Sequence, residues 1–259
     1  MVNELFSAII LAIVQGSTEW LPISSSGHLV LVERLLDYKV GLIFDVALHF
    51  GTLMAVFVYF GKDIVDIIEE LLRGKFRSEK GRMGILLIIA SLPTALFGFF
   101  AKSYFDSVLS NLGIIASGFA LTGMFLLIAS VPGKVKQEKL GFRGAFFIGV
   151  AQALSIIPGI SRSGSTISSG IMLGLNEKEA MKFSFLLSIP VVFGANLITI
   201  GNNTLPPDLI WAALASFIVG IIAIHLIFNY ILVNRKSFMW FGLYCLLLAA
   251  SIGIYLSIA

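Results

Sequence analysis

Apolar runs long enough to cross a bilayer recur at about 42–60, 83–101, 111–131, 180–201, 209–230 and 238–258. A helix needs about 20 such residues to span hydrocarbon, so this pattern predicts six transmembrane helices. Two stretches break the rhythm. Residues 1–14 are apolar after Glu4; Gln15, Ser17, Thr18, Glu19 and the run Trp20-Leu21-Pro22 then interrupt, and a second apolar run reaches about Leu36. A matching pair of short runs, about 141–157 and 161–175, is broken at Pro158-Gly159. Neither pair holds a run of spanning length. Each predicts a re-entrant helical hairpin, a shape tolerated at membrane depth where irregular backbone is buried in protein or lines a cavity. The mixed charges of 61–82 predict a solvated loop or short surface helix.

Shifting the chain by 137 residues lays Gln15 on Gln152, Ile23 on Ile160, Ser24 on Ser161, Ser26 on Ser163 and Gly27 on Gly164. Ser25 falls on Arg162 and His28 on Ser165. Each half therefore reads as a hairpin plus three spans. A hairpin returns to its own side and three crossings change sides, so the halves have inverted topology. The expected architecture is an all-α polytopic membrane protein forming a single domain, 1–259. Its repeats cover about 1–131 and 141–259, with a cytoplasmic linker at about 132–140.

Composition agrees: 58% of the 259 residues are hydrophobic and 13% charged, against about 25% charged in soluble domains. A formal net charge of +3, scattered along the chain, does not point to nucleic acid. The single cysteine, Cys245, provides neither a disulfide nor a thiolate metal cluster. The start, Met1-Val2-Asn3-Glu4, lacks the basic region of a signal peptide, so the N-terminus is expected to be retained. Of 18 Lys and Arg residues, 14 fall within 61–82, 132–143, 178–182 and 235–236. The positive-inside rule places that side in the cytoplasm and both termini outside.

The chemistry concentrates at the two hairpin breaks. Pro158-Gly159-Ile160-Ser161-Arg162-Ser163-Gly164-Ser165-Thr166 sets an arginine among hydroxyls and glycines. Arginine at membrane depth costs about 2.5–3.5 kcal/mol on insertion scales and marks a site. Its planar fork, the hydroxyls and the first N–H groups of a following helix all suit phosphate oxygens. If the tips meet, Gln15, Glu19, Ser24, Ser25, Ser26 and His28 face Ser161, Arg162, Ser163, Ser165 and Thr166. Arg162 clamps the anion, His28 gives or takes a proton, and Glu19 serves as base or as ligand to a hard divalent cation. Ser25 attack and water attack both satisfy these residues. Asp45 and His49, four apart, are expected to form a local side-chain pair, and His225 to be packed or interfacial.

Three segments make the chain resemble the undecaprenyl-pyrophosphate phosphatase family, also called the bacitracin-resistance (BacA/UppP) family. They are Gln15-Gly16-Ser17-Thr18-Glu19 with Leu21-Pro22-Ile23-Ser24-Ser25-Ser26-Gly27-His28, the segment from Pro158 to Thr166, and Phe44-Asp45-Val46-Ala47-Leu48-His49. The resemblance implies a cell-membrane hydrolase that converts a polyprenyl diphosphate to the monophosphate and inorganic phosphate. It implies Mg²⁺ or Ca²⁺ as cofactor, with Glu19 the possible metal ligand, and a site toward the extracytoplasmic side. It casts Glu19, His28 and Arg162 as essential groups, Ser25 as nucleophile, and Ser161 and Thr166 as phosphate contacts. Gln15 stands where glutamate is frequent in that family, which weakens any mechanism needing two acids on this helix face. A transporter or flippase for an anionic lipid is the alternative that inverted repeats suggest, and a non-enzymatic scaffold is a third.

Overall fold

The computed structural model describes residues 4–105, 111–132, 140–200 and 209–258. The linker expected at 132–140, with Lys134, Lys136 and Lys139, falls largely outside the described residues. Among the described residues eleven α-helices run in chain order: α1 Glu4–Thr18, α2 Ser25–Leu36, α3 Leu42–Tyr59, α4 Gly61–Leu72, α5 Glu79–Phe105, α6 Leu112–Ser130, α7 Phe142–Leu154, α8 Arg162–Met172, α9 Glu177–Ile200, α10 Leu209–Leu226 and α11 Arg235–Ile258. A π-helical turn, Ile227–Ile231, extends α10. No strand occurs among the described residues.

Five of these helices, α3, α5, α6, α10 and α11, are long and apolar enough to cross a membrane. The sixth predicted span corresponds to α9, which has 24 residues but opens with Glu177, Lys178, Glu179 and Lys182. The charged stretch after α3 contains the helix α4 and then a turn at 73–78. Asp63 on α4 takes hydrogen bonds from Lys80 on α5 and, at 2.7 Å, from Lys182 on α9. Burial alone raises its carboxyl, but the two lysines outweigh that and hold it below the ordinary aspartate range.

The short pairs α1–α2 and α7–α8 each fold back as a hairpin. Packing keeps a pattern that survives exchanging the halves. α1 lies against α10 as α7 lies against α5, and α3 meets α10 as α9 meets α5. α6 packs on α11 and α3 on α9, each with its own counterpart. The α6–α11 contact needs glycine. A Cβ on Gly123 would stand 2.8 Å from the Gly242 carbonyl oxygen, and one on Gly242 would stand 3.0 Å from that of Gly123. Close backbone approach of this kind lets helices associate where lipid removes the hydrophobic drive. Many large apolar side chains point outward, Phe99 at 78% exposure among them, as lipid-facing surface requires.

Candidate active site

Both hairpin breaks are rigidly built, and they touch. In the first, α1 ends at Thr18, and Glu19 through Ser24 turn the chain into α2. Ser24 has φ 67, in the left-handed region that non-glycine residues rarely adopt. That strain sits beside Ser25 at the helix start, and Ser24 Oγ accepts the Gly27 amide at 3.4 Å. In the second, Gly159 has φ +88, and Ser161 caps α8 by accepting the Gly164 amide at 2.9 Å. Thr122 on α6 pins this tip. Its hydroxyl donates to the Gly159 carbonyl at 3.0 Å and accepts the Ser161 amide at 2.9 Å.

Three contacts join the tips. Arg162 pairs with Glu19 Oε1, Ser163 donates to the Leu21 carbonyl at 2.8 Å, and the Arg162 guanidinium stands 5.4 Å from the Trp20 ring centre. Glu19, 8% exposed, is the hub. Its Oε2 accepts the Ser25 hydroxyl at 2.5 Å and the Gln15 amide at 3.0 Å. The expected juxtaposition of Gln15, Glu19, Ser25 and Arg162 is thus present. α2 and α8 each begin at one of these tips, and a helix start leaves N–H groups without intrahelical partners.

Arg162 Nη1 and Gln15 Oε1 are buried and have no hydrogen-bond partner among the described residues. A buried, unsatisfied guanidinium nitrogen is costly unless a ligand completes it. Beside helix N-termini, the ligand it suits is an anion.

The remaining predicted residues divide. Ser24 and Ser26 hydroxyls are 3.3 Å apart, and Ser161 and Ser163 hydroxyls 3.2 Å apart. Thr166 turns away from the tip, donating to the Arg162 carbonyl at 2.8 Å and meeting Ser184 on α9 at 2.6 Å. Ser165 is buried, and its hydroxyl has no hydrogen-bond partner among the described residues. His28 lies one turn beyond Ser25 on α2, but its hydrogen bonds go elsewhere: Nδ1 to the Ser24 carbonyl and Nε2 to the Tyr244 hydroxyl, both at 2.7 Å.

His49 corrects an expectation. It does lean on Asp45, but through the main chain, with Nδ1 2.9 Å from the Asp45 carbonyl oxygen. Its Nε2 reaches to 3.7 Å from Glu19 Oε2, so it borders the site. One signal pointed to it: an ionisable group inside an apolar span. Tyr244 and Thr122 carried no comparable signal, since one hydroxyl in a long apolar run does not reveal which face it occupies.

Fold and site together define a class: a multi-pass membrane protein, helical throughout its described residues, with a buried Glu19–Arg162 pair where two hairpin tips meet. Within that class, the chain belongs to the bacitracin resistance protein BacA family, whose sequence model matches residues 8–251. An undecaprenyl-diphosphatase of Caldicellulosiruptor bescii is 40% identical over 256 residues, covering 95% of this chain and 96% of that one. Proteins of the same name from Rubrobacter xylanophilus and Methanosphaera stadtmanae are each 38% identical. The matches cover 98% of this chain, with 98% of the first relative and 99% of the second.

Proposed function

We propose that this chain is a membrane phosphatase that hydrolyses undecaprenyl diphosphate, or a close polyprenyl diphosphate, to the monophosphate and inorganic phosphate. Such a reaction recycles a lipid carrier for cell-wall polymer synthesis. Its sequence relatives bear the name of that activity. The observation that carries the reading is Glu19, which holds Arg162 on one oxygen and the Ser25 hydroxyl on the other. An anion carrier needs the guanidinium but has no use for a hydroxyl hydrogen-bonded to a carboxylate base.

The terminal phosphate binds at Arg162 Nη1 and the helix starts. Ser25 Oγ attacks its phosphorus while Glu19 takes the hydroxyl proton, and the bond to the bridging oxygen breaks, releasing the polyprenyl monophosphate. Water then attacks the phosphoserine; His28 accepts the water proton, and Glu19 returns its own to Ser25 as the P–Oγ bond breaks.

Among the described residues no three His, Cys, Asp or Glu converge as a metal site. The tip nonetheless fits a divalent cation carried on the substrate. Glu19 offers one carboxylate and Gln15 the partnerless Oε1, a donor set that suits Mg²⁺ completed by phosphate oxygens. Such an ion, when bound, neutralises charge on the diphosphate oxygens. The distribution of basic residues supports a site toward the extracytoplasmic side with both termini outside.

The test is phosphate release from polyprenyl diphosphate by purified protein in detergent, with acid-quenched samples searched by mass spectrometry for phosphate on Ser25. Release is expected from the wild-type protein and not from Ser25→Ala. Absence of release from active-site-intact, folded protein overturns the reading.

A further inference from the structure

Tyr244 lies outside both hairpins, on α11, and the proposed chemistry gives it no part. Its hydroxyl is 2.7 Å from His28 Nε2. The two ring planes differ by 11°, with centroids 5.7 Å apart. The other ring nitrogen, Nδ1, faces the Ser24 carbonyl at 2.7 Å. A carbonyl oxygen only accepts, so Nδ1 carries a proton. Nε2 of the neutral ring is then a lone pair, and the phenol is the donor. Phe119 of α6 meets the imidazole edge to face, at 89° and 5.3 Å between centroids. The ring is therefore gripped by its own hairpin, by α6 and by α11.

We infer that Tyr244 is a positioning residue for His28. With the tautomer already set by the Ser24 carbonyl, the Tyr244 hydroxyl donates to Nε2 and fixes the direction of that lone pair. The attacking water then takes the place the hydroxyl vacates. This rests on the phosphatase reading, in which His28 accepts a proton from water. The packing of α11 on α6 is what brings Tyr244 to His28. Ring orientation and tautomer are what a histidine base needs from its surroundings.

Tyr244→Phe removes the hydroxyl and keeps the ring. In detergent, with polyprenyl diphosphate, kcat is expected to fall by about tenfold, the weight of one neutral hydrogen bond, while KM stays within about twofold. In protein labelled with 15N-histidine, with the His28 signals assigned through His28→Gln, the wild type is expected to show one Nδ1-protonated tautomer and a hydrogen-bonded Nε2. In Tyr244→Phe that Nε2 signal is expected to move to the unbonded imine position, with Nδ1 still protonated against the Ser24 carbonyl. Tyr244→Leu, which also removes the ring, is expected to show the same NMR change. An unchanged His28 spectrum in Tyr244→Phe overturns the inference, as does an unchanged kcat or a loss confined to KM. If the wild-type protein itself releases no phosphate, the phosphatase reading is what fails. The NMR comparison then decides by itself whether the Tyr244 hydroxyl holds Nε2.

Discussion

Replacing Glu19 by glutamine changes one oxygen to an NH₂ group and removes one charge at the point where both tips meet. Oε1 holds Arg162, and Oε2 holds the hydroxyl of Ser25 and the amide of Gln15. A glutamine has a single acceptor oxygen, so one side must face an N–H donor. If the oxygen stays on Arg162, the NH₂ confronts the Gln15 amide, and Ser25 loses its acceptor. If the amide flips, the guanidinium confronts NH₂. Either way Arg162, whose side chain is 13% exposed, keeps a charge without a counter-charge, and breaking a buried pair from one side costs about 3–5 kcal/mol. Loss of a general base lowers rates by about 10²–10⁴. Glu19→Gln should therefore lower kcat for phosphate release at least a hundredfold and reduce the thermal midpoint as well. Steady-state release in detergent and a melting curve on the same preparation measure both. A folded Glu19→Gln protein working within tenfold of the wild-type rate would remove Glu19 from the reaction.

Gln15→Glu should retain activity, because the hub carboxylate and its serine remain. Two carboxyl groups then lie about 3 Å apart and resist ionising together, so the pH at which the rate rises should move upward; a rate profile against pH checks this. Gly159→Ala forces a side chain onto φ +88 and sets its Cβ 2.2 Å from the Ile115 carbonyl oxygen, so the second tip must shift. Activity should fall more than tenfold, since an error of about 1 Å in positioning costs about 10² in rate, and wild-type turnover in this variant would contradict the role given to that tip. Asp63→Asn keeps an acceptor oxygen but removes the negative charge shared by Lys80 and Lys182 at a partly exposed site, worth about 0.5–1 kcal/mol. The Asp63 carboxyl is depressed on folding, so its contribution holds above the ordinary aspartate range and is lost as pH falls through its lower folded value. Melting curves of wild type and Asp63→Asn should therefore converge in acid and separate toward neutrality.

Much of this protein was already legible in its sequence, for a physical reason. Water is absent from hydrocarbon, so apolar run length alone marks the spanning helices, and every polar group left inside them stands out as a site. That logic singled out Glu19, Ser25 and Arg162 as candidates, which the fold brings into contact, and the shift of 137 residues paired Arg162 with Ser25 as counterparts. The same shift lays Glu19 on Ile156, so the carboxylate has no twin and one centre forms rather than two.

Which hydroxyls face the centre was settled by helix packing instead. Thr166 reads as a phosphate contact in its motif, and the packing of α8 on α9 sets its hydroxyl between the Arg162 carbonyl and Ser184. His49 joins Glu19 because α3 passes behind the first hairpin, Thr122 clamps the second tip, and Tyr244 reaches His28 from 216 residues away. Such contacts depend on how helices rotate about their axes when they pack. Rotation is set by small residues at crossings far from the site, such as Gly123 and Gly242, and by side-chain fit across helices distant in sequence. An apolar run defines a helix but leaves that angle open.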